Sequence, residues 1–330
     1  MYSYKEGDNL FVALNHKGQR VYATHALKKE AYYCPDCKQR VQLKQGHIYT
    51  PHFAHMAQSA CTYHKVETMY HREAKWYMYR YLKSKGYRVA LEPYIPAIKQ
   101  YPDLCVDNKY AIEIQFSPLS VRDVMARSDG LRSQGLHVVW IIPPLKMYDG
   151  RVNIKRRQRV FIHSQTHMCY SFDVQDKTLL RYSHLYYLGG RCYAGRANAV
   201  SLDQLFETHH EFKDDHVYQL DPGQVHAYLA SCRKARSVLQ PVLSMMYQMR
   251  VTDDWVARHC SYIFPEQWYI ETHPIEWQLR YFYMKQRGLP IERCMQSLKL
   301  CHYYDCIVPK THVRNEIIRQ FEKIIRNKTL

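Results

Sequence analysis

The stretch YPDLCVDNKYAIEIQF, from Tyr101 to Phe116, predicts a β-hairpin with two acidic residues at facing positions. A three-residue loop centred on Asn108 sets Asp103 opposite Glu113. In this register the large apolar residues share one face of the hairpin and the acidic residues share the other. A two-residue turn would mix the two classes. The segregation therefore favours the three-residue loop.

The two faces expected from this register are Leu104, Val106, Ile112, Ile114 and Phe116 on the apolar side, and Asp103, Cys105, Ala111, Glu113 and Gln115 on the other. Facing carboxylates about 5 Å apart repel each other unless something neutralises them. Mg²⁺ is one solution, because it binds one or two carboxylates, waters and phosphate oxygens. Such an ion also assists phosphodiester cleavage. The alternative is a solvated hairpin with scattered acids, and spacing alone favours neither.

The elements around the hairpin predict the order α-β-β-β-α-β. Residues 66–84 have a helical period that ends at Gly86, and the strand YRVALE follows. After the hairpin, Ser120 and Asp123 form a capping-box pattern at the start of a second helix. The apolar strand HVVWII closes the segment before Pro143.

The flanking regions differ in character from this central segment. LFVAL and QRVYA predict strands around a turn at residues 15–18. RVFIHS and MCYSFDV are strand-like, successive helices follow from about Gly223, and the last helix, from Val313 to Arg326, is amphipathic. We expect a mixed α/β chain of three segments. These are an N-terminal zinc-binding β segment (1–64), an αβββαβ core (65–150) and a mixed, then mainly helical, C-terminal domain (151–330).

A cysteine–histidine cluster predicts a structural zinc site. Cys34 and Cys37 form a CxxC pair, whose thiolates can enter one tetrahedral site, and His52, His55, Cys61 and His64 follow. Because no βαβ unit surrounds the pair, a redox role is disfavoured. His52 and His55 would point to opposite faces of a strand. We expect the ligands to be Cys34, Cys37, His55 and Cys61. His52 remains the alternative to His55.

The composition favours an anionic partner. Lys and Arg outnumber Asp and Glu by 47 to 30, a formal net charge of +17, and 30 residues are tyrosine. Positive charge beside abundant aromatic rings favours nucleic acid, and single-stranded DNA in particular. No apolar run reaches the about 20 residues that a membrane span needs. The start of the sequence lacks signal-peptide features, so the 11 cysteines favour a cytoplasmic protein with thiols or metal ligands.

Several motifs resemble those of known families. Pro102-Asp103 followed by Glu113-Ile114-Gln115 resembles the PD-(D/E)XK nuclease pattern, with Gln where that pattern has Lys. CPDC, PHFAH, a following Cys, an E-x3-H-x3-K helix, PD, AIEIQFS and VVWII together resemble the competence protein CoiA family over residues 10–145. The resemblance implies a restriction-endonuclease-like core in a cytoplasmic factor. It also implies that this factor promotes recombination of incoming single-stranded DNA during transformation. The same process makes a recombinase such as RecA the expected protein partner.

Site residues follow from the resemblance by position. Glu67, Asp103, Glu113 and Gln115 would form the catalytic set, with Mg²⁺ or Mn²⁺ bound by Asp103 and Glu113; His71, Lys75 and Arg127 would bind DNA or stabilise charge. Gln115 brings no positive charge, which Lys75 or Arg127 could supply. We therefore expect a metal-dependent DNA nuclease. The competing hypothesis is a non-catalytic DNA-binding accessory factor on a degenerate nuclease fold.

Overall fold

The fold is that of a computed structural model, which describes residues 9–35, 37–46, 51–56, 69–207, 216–235, 240–301 and 310–327. The chain divides into two compact units. The first comprises Met1–Pro144, Tyr170–Arg181 and Asn198–Thr208, and the second comprises Leu145–Cys169, Tyr182–Ala197 and His209–Leu330. The division of the sequence into segments 1–64, 65–150 and 151–330 remains a prediction.

Both units contain strands and helices. The strands are β1 Asn9–Leu10, β2 Val12–Leu14, β3 Arg20–Tyr22, β4 Tyr32–Tyr33, β5 Arg40–Lys44, β6 His52–His55, β7 Val89–Leu91, β8 Leu104–Val106, β9 Tyr110–Ile114, β10 His137–Ile142, β11 Lys146–Tyr148, β12 Arg151–Asn153, β13 Cys169–Asp173, β14 Thr178–Gly189, β15 Cys192–Val200, β16 Tyr218–Gln219 and β17 Tyr262–Ile263. The α-helices are α1 Met69–Ser84, α2 Val121–Ser133, α3 Pro222–Lys234, α4 Pro241–Met249, α5 Asp253–His259, α6 Pro274–Gln286, α7 Ile291–Gln296 and α8 Lys310–Asn327. The protein is therefore mixed α/β, as expected.

A small antiparallel sheet begins the first unit, with the strand order β1-β6-β5-β4-β2-β3. Its β2–β3 hairpin turns at Asn15, whose side-chain oxygen accepts hydrogen bonds from the backbone N–H groups of Lys17 and Gln19, both at 2.9 Å. Asparagine favours turns because its short side chain can bond its own backbone in this way. The turn expected at residues 15–18 is confirmed.

A second sheet of the first unit contains the opening hairpin. Strands β13, β10, β9, β8 and β7 are neighbours in that order. Strands β7, β8 and β9 pair antiparallel, whereas β10 runs parallel to β9. Parallel neighbours need a crossover connection, and α2 supplies it. From α1 to β10 the elements thus follow the order helix, three strands, helix, strand.

The hairpin has the register expected from its sequence. Leu104 pairs with Ile112 and Val106 with Tyr110, which leaves a loop of residues 107–109. Asp107 and Asn108 have φ angles of 53° and 55°, in the left-handed region. Asn and Asp tolerate this region better than other residues with side chains. The turn chemistry therefore sets the register.

Each face of the hairpin packs against a different part of the first unit. Leu104, Val106, Ile112 and Ile114 share a core with Ala74, Met78 and Leu82 of α1, and Phe116 packs against it. On the other face Cys105 and Ala111 pack with Leu131 of α2 and with Leu136. The Ser120 side chain caps α2 by accepting a hydrogen bond from the N–H group of Asp123, as the capping-box pattern predicts.

The second unit contains β11, β12 and most of β14 and β15, followed by the helices from α3 onward. In α8, Ile317 and Phe321 are fully buried and pack in one cluster with Trp277 of α6. This confirms the apolar stripe expected for the last helix. Among the residues described, no helix is both long and apolar enough to span a bilayer.

The prediction of a strand for RVFIHS, in the second unit, is wrong. Residues Arg156–Phe161 form a 3-10 helix, although RVFIHS has a strand-like pattern. The cause is Arg159, which is 3% exposed and donates hydrogen bonds to the carbonyl oxygens of Trp268 and Ile270. Its guanidinium also lies 4.6 Å from the Tyr187 ring centroid. These partners are distant in sequence, so no local pattern predicts them.

Candidate active site

Three carboxylates occupy adjacent positions at the same end of strands β7, β8 and β9. Leu91 pairs with Leu104, and Leu104 pairs with Ile112, so the next residue along each strand is Glu92, Asp103 or Glu113. The N–H group of Glu92 donates to the Asp103 carbonyl oxygen at 3.0 Å, which extends the pairing of β7 and β8. We call Glu92, Asp103 and Glu113 the carboxylate row.

Asp103 is bonded by two side chains of α1. His71 Nε2 lies 3.1 Å from Asp103 Oδ2, and Lys75 Nζ lies 3.2 Å from Oδ1. The backbone N–H group of Ile114 also donates to Oδ2 at 2.8 Å. Burial opposes ionisation of Asp103, but the charges of His71 and Lys75 outweigh it and hold its pKa well below the usual range. Asp103 is therefore an anion.

Lys75 is a buried cation between two members of the row. Its residue is 2% exposed, and its Nζ atom lies 2.6 Å from Glu92 Oε1 as well as 3.2 Å from Asp103 Oδ1. The Phe11 ring centroid lies 5.5 Å from the same nitrogen. A buried ammonium is stable only when its charge is compensated, and the two carboxylates do this.

Glu113 is paired with Arg127 of α2. Arg127 Nη2 contacts both carboxylate oxygens of Glu113 at 3.0 Å, Nε contacts Oε2 at 3.2 Å, and Nη2 also donates to the Tyr101 carbonyl oxygen. Glu113 is 3% exposed. Burial raises the pKa of Glu113 above its usual range, while Arg127 opposes this increase and the charge of Asp103 adds to it. The pKa values of the two facing carboxyl groups are therefore shifted in opposite directions.

The structure shows how the fold accommodates Asp103 and Glu113 at facing positions. Basic side chains from the two flanking helices, His71, Lys75 and Arg127, contact Asp103 and Glu113. The solvated-hairpin alternative is wrong, because Glu113 is buried. The protein's own cations therefore offset the repulsion for which the sequence suggested a divalent ion.

Gln115 does not take part in these contacts. Its amide nitrogen donates to the carbonyl and hydroxyl oxygens of Ser117, at 2.7 and 3.0 Å. The cation beside Asp103 comes instead from Lys75 on α1. A lysine is thus present at the carboxylate row, although it is supplied by a helix and not by the strand.

Sequence reasoning missed Glu92. This residue ends the expected strand YRVALE, but the long connection to Asp103 leaves the pairing of β7 with β8 undetermined from sequence. Only the register in the structure brings Glu92 to the position beside Asp103. Of the expected catalytic set, Glu67 lies outside the described residues.

A second cluster lies in the N-terminal sheet. The ligand atoms of Cys34, Cys37 and His55 all lie within 4.8 Å of one another, and Cys37 Sγ is 3.4 Å from His55 Nε2. In a tetrahedral zinc site, with Zn–S bonds of about 2.3 Å, ligand atoms lie roughly 3.5 to 3.8 Å apart. These three residues therefore fit such a site. The expected fourth ligand, Cys61, lies outside the described residues.

The two candidate histidines of β6 differ in position. His55 pairs with Val41 and His52 with Lys44, so the two lie on opposite faces of the strand. Among the residues described, His55 belongs to the cluster with the two cysteines and His52 does not. The geometry favours His55 over His52, while the ligand set itself remains a prediction.

The carboxylate row and the cysteine–histidine cluster both lie in parts of the chain that match known protein families. Residues 67–213 match the family model for the competence protein CoiA nuclease-like domain, and residues 16–64 match that for the CoiA N-terminal domain. The chain belongs to the competence protein CoiA family. The first CoiA match contains the carboxylate row with its three basic partners, and the second contains Cys34, Cys37 and His55.

The chain also resembles a named CoiA protein. It is 32% identical over 120 residues to the competence protein CoiA of Bacillus subtilis (strain 168). The alignment covers 35% of this chain and 32% of that protein, so it spans about a third of the relative's length. No solved structure matches the chain.

Proposed function

We propose that this CoiA family member is a divalent-metal-dependent nuclease-like protein that acts on DNA. It would promote recombination of incoming single-stranded DNA in natural transformation. The observation that carries the proposal is the carboxylate row with Lys75 buried against it. Carboxylates at a sheet edge beside a lysine are what the PD-(D/E)XK pattern requires. The αβββαβ order of the elements supports a restriction-endonuclease-like core.

The donor set suits Mg²⁺ or Mn²⁺. These ions prefer carboxylate oxygens, and an ionised carboxylate has about four lone-pair sites. Asp103 accepts three hydrogen bonds, which leaves room for an ion. Asp103 and Glu113 would hold the ion, with Glu67 and Glu92 as further candidate ligands. When bound, such an ion activates water and stabilises the departing oxygen.

The basic side chains of the site would complete the chemistry. Lys75 lies beside Asp103, where its charge can offset the negative charge that develops on a phosphate. Arg127 is about a third exposed at its side chain, so it can contact both Glu113 and a DNA phosphate. Gln115 can orient water but adds no charge. His71 would keep Asp103 oriented.

The N-terminal cluster has a separate proposed role. Cys34, Cys37 and His55, with Cys61 as fourth ligand, would hold a structural zinc ion, because a site closed by four protein ligands leaves no open position for a substrate. We further propose a cytoplasmic location, DNA as the partner and a recombinase such as RecA as a possible protein partner. These follow from the family's process and from the net charge of +17.

A second candidate function is a non-catalytic DNA-binding accessory factor. One observation favours it: Arg127 contacts both oxygens of Glu113, which competes with a metal ion for the same carboxylate. Both functions require DNA binding, so only cleavage separates them.

The test is a cleavage assay with labelled single- and double-stranded DNA in Mg²⁺ or Mn²⁺. We expect the wild type to cleave and Glu113→Gln to be slower by at least about 100-fold, since several kcal/mol of charge stabilisation are lost. Asp129→Asn, an exposed carboxylate of α2, is the matched control and should keep full activity. Because Lys75 already lies beside Asp103, Gln115→Lys should not raise the rate. If wild-type protein binds DNA but never cleaves it, the accessory function is correct.

A further inference from the structure

The connection between β7 and β8 continues the pairing of these strands beyond the carboxylate row. Ile95 forms an antiparallel bridge with Gln100 in the same register as the two strands. The N–H group of Ile95 donates to the Gln100 carbonyl oxygen at 2.9 Å. This register sets Tyr94 opposite Tyr101, two positions beyond the two members of the row that β7 and β8 carry.

Tyr94 and Tyr101 form a stack with Arg20 of the N-terminal sheet. The centroids of the two tyrosine rings lie 4.7 Å apart, and the guanidinium carbon of Arg20 lies 5.1 Å from the Tyr101 centroid. Arg20 also donates a hydrogen bond to the Glu92 carbonyl oxygen, and Arg127 donates one to the Tyr101 carbonyl oxygen. The stack is thus tied to the carboxylate row by hydrogen bonds.

The Tyr94 ring is the open member of this stack. Tyr94 is 42% exposed, whereas Tyr101 is partly buried. Tyr101 contacts one side of the Tyr94 ring. A ring covered on both faces would expose only its edge, so this exposure leaves one face of Tyr94 accessible to a ligand.

The segment that carries the two tyrosines is held in place by α2. Ile95 and Ile98 pack in one cluster with Leu131 of this helix. Gln100 lies so close to Gly130 of the same helix that a Cβ atom at Gly130 would be 2.6 Å from the Gln100 amide nitrogen. The open ring is therefore presented by ordered backbone, and an ordered site loses less conformational entropy when it binds a ligand.

The cations near the stack favour an anionic ligand. Arg20 and Arg127 are partly exposed, and Lys99 is exposed at the tip of the connection. An exposed aromatic face beside positive charge is the combination that binds single-stranded nucleic acid, because the bases stack and the phosphates are neutralised.

We propose that Tyr94 stacks an unpaired base of single-stranded DNA and so positions the strand at the carboxylate row. This inference rests on the proposed action on DNA and adds a preference for single strands. The bases of a duplex already stack on one another and would have to be unstacked first. Two residues of extended chain span about 7 Å, which is the length of about two nucleotides at 3.4 Å each. The stacked base would therefore lie about one or two nucleotides from a phosphate at the row.

The test compares two short oligonucleotides that have the same phosphates, one of thymidine residues and one of abasic tetrahydrofuran residues. Fluorescence anisotropy measures their affinities for the full-length protein. Tyr94→Ala should weaken binding of the thymidine strand about tenfold, as for loss of one base–aromatic stack, and leave binding of the abasic strand unchanged. Tyr94→Phe keeps the ring and should bind as the wild type does. Tyr247→Ala, which removes a tyrosine of α4 that is 85% exposed, is the matched control and should also bind as the wild type does.

A purely structural role of Tyr94 has a different signature. The tyrosine pair also stabilises the paired connection, as cross-strand aromatic pairs do. If Tyr94→Ala acted only by disturbing this connection, binding of the thymidine strand, the abasic strand and a duplex of the same length would all weaken together. We expect the affinity for the duplex to be unchanged, because its bases are not free to stack on the ring.

The proposal is overturned if Tyr94→Ala weakens binding of the thymidine and abasic strands equally, if Tyr247→Ala has the same effect as Tyr94→Ala, or if the wild type does not prefer the thymidine strand. Cleavage in Mg²⁺ or Mn²⁺ is an independent readout. A wild type that prefers the thymidine strand through Tyr94 but never cleaves it supports the stacking role and contradicts the nuclease. A wild type that cleaves while Tyr94→Ala binds both strands normally contradicts the stacking role alone.

Discussion

At the scale of single residues, Lys75 is the side chain on which the proposed site depends most. It is almost completely buried, and its ammonium contacts Glu92 and Asp103. A buried charge pair is often no more stabilising than a pair of apolar residues of similar size at the same positions. Removal of only one partner, however, leaves the other charge buried and uncompensated. Here a single lysine compensates two carboxylates.

Replacement of this lysine should therefore destabilise the protein strongly. We expect Lys75→Met to lower the free energy of unfolding by about 3 to 5 kcal/mol, the loss typical of a broken buried pair. The measurement is urea unfolding followed by circular dichroism. Arg80→Met, at an exposed position of the same helix, should change stability by no more than about 0.5 kcal/mol.

A double-mutant cycle attributes the loss to the contact. Glu92→Gln should weaken the effect of Lys75→Met, because the amide no longer needs a cation. Equal losses for Lys75→Met and Arg80→Met would show that the buried charge pair does not exist.

Sequence reasoning identified two members of the carboxylate row and missed the third. Asp103 and Glu113 are joined by a tight hairpin, whose loop length and alternation define their pairing. Glu92 is joined to Asp103 by a long connection, so its position depends on tertiary packing. The pairing of Arg127 with Glu113 likewise depends on how α2 packs against the sheet.

At the scale of elements, Cys34 and Cys37, which precede β5, lie close to His55 at the end of β6. Strand pairing of β5 with β6 places His55 near the two cysteines, and the alternation of β6 turns His52 away. Metal binding at such a site contributes directly to folding. Zinc should therefore stabilise the small N-terminal sheet.

The zinc prediction has a direct measurement. Freshly purified, unchelated protein should carry about one zinc per chain by elemental analysis. Cys34→Ser and His55→Ala should lose the metal and lower the melting temperature, because the binding free energy of structural zinc is folding free energy. His52→Ala is the matched control and should keep the metal. Zinc-free wild type, or equal loss in both histidine variants, would contradict the site.

Elements with local causes could be predicted and elements with distant causes could not. The Asn15 turn, the Ser120 cap and the β8–β9 hairpin depend on neighbouring residues, and the structure contains all three. The 3-10 helix at Arg156–Phe161 depends on Arg159 binding carbonyl groups more than 100 residues away. A local pattern cannot contain that information.

At the scale of the whole molecule, the charge excess and the aromatic content determine the expected partner. Each phosphate that a protein neutralises releases counterions, so the affinity for DNA falls with salt. A net charge of +17 over 330 residues provides many cations for such contacts.

Binding of labelled single-stranded DNA should therefore weaken steeply with ionic strength. For about 6 to 10 phosphate contacts, the affinity should fall by 10³ to 10⁵ between 50 and 200 mM salt, somewhat less for single strands. Fluorescence anisotropy over this range measures the slope. A single-stranded peptide nucleic acid of the same sequence, which lacks phosphates, is the control and should show no such slope. Salt-independent DNA binding would contradict the electrostatic account.

We propose that Asp103 and Glu113 hold a divalent ion, and Mn²⁺ binding to zinc-loaded protein, measured by electron paramagnetic resonance, tests this directly. We expect about one bound Mn²⁺ per chain in the wild type and in Asp129→Asn, because two carboxylates and water suffice for such an ion. Asp103→Asn and Glu113→Gln should each lose it while remaining folded. Equal Mn²⁺ binding by Asp103→Asn and wild-type protein, or no binding by either, would contradict the account.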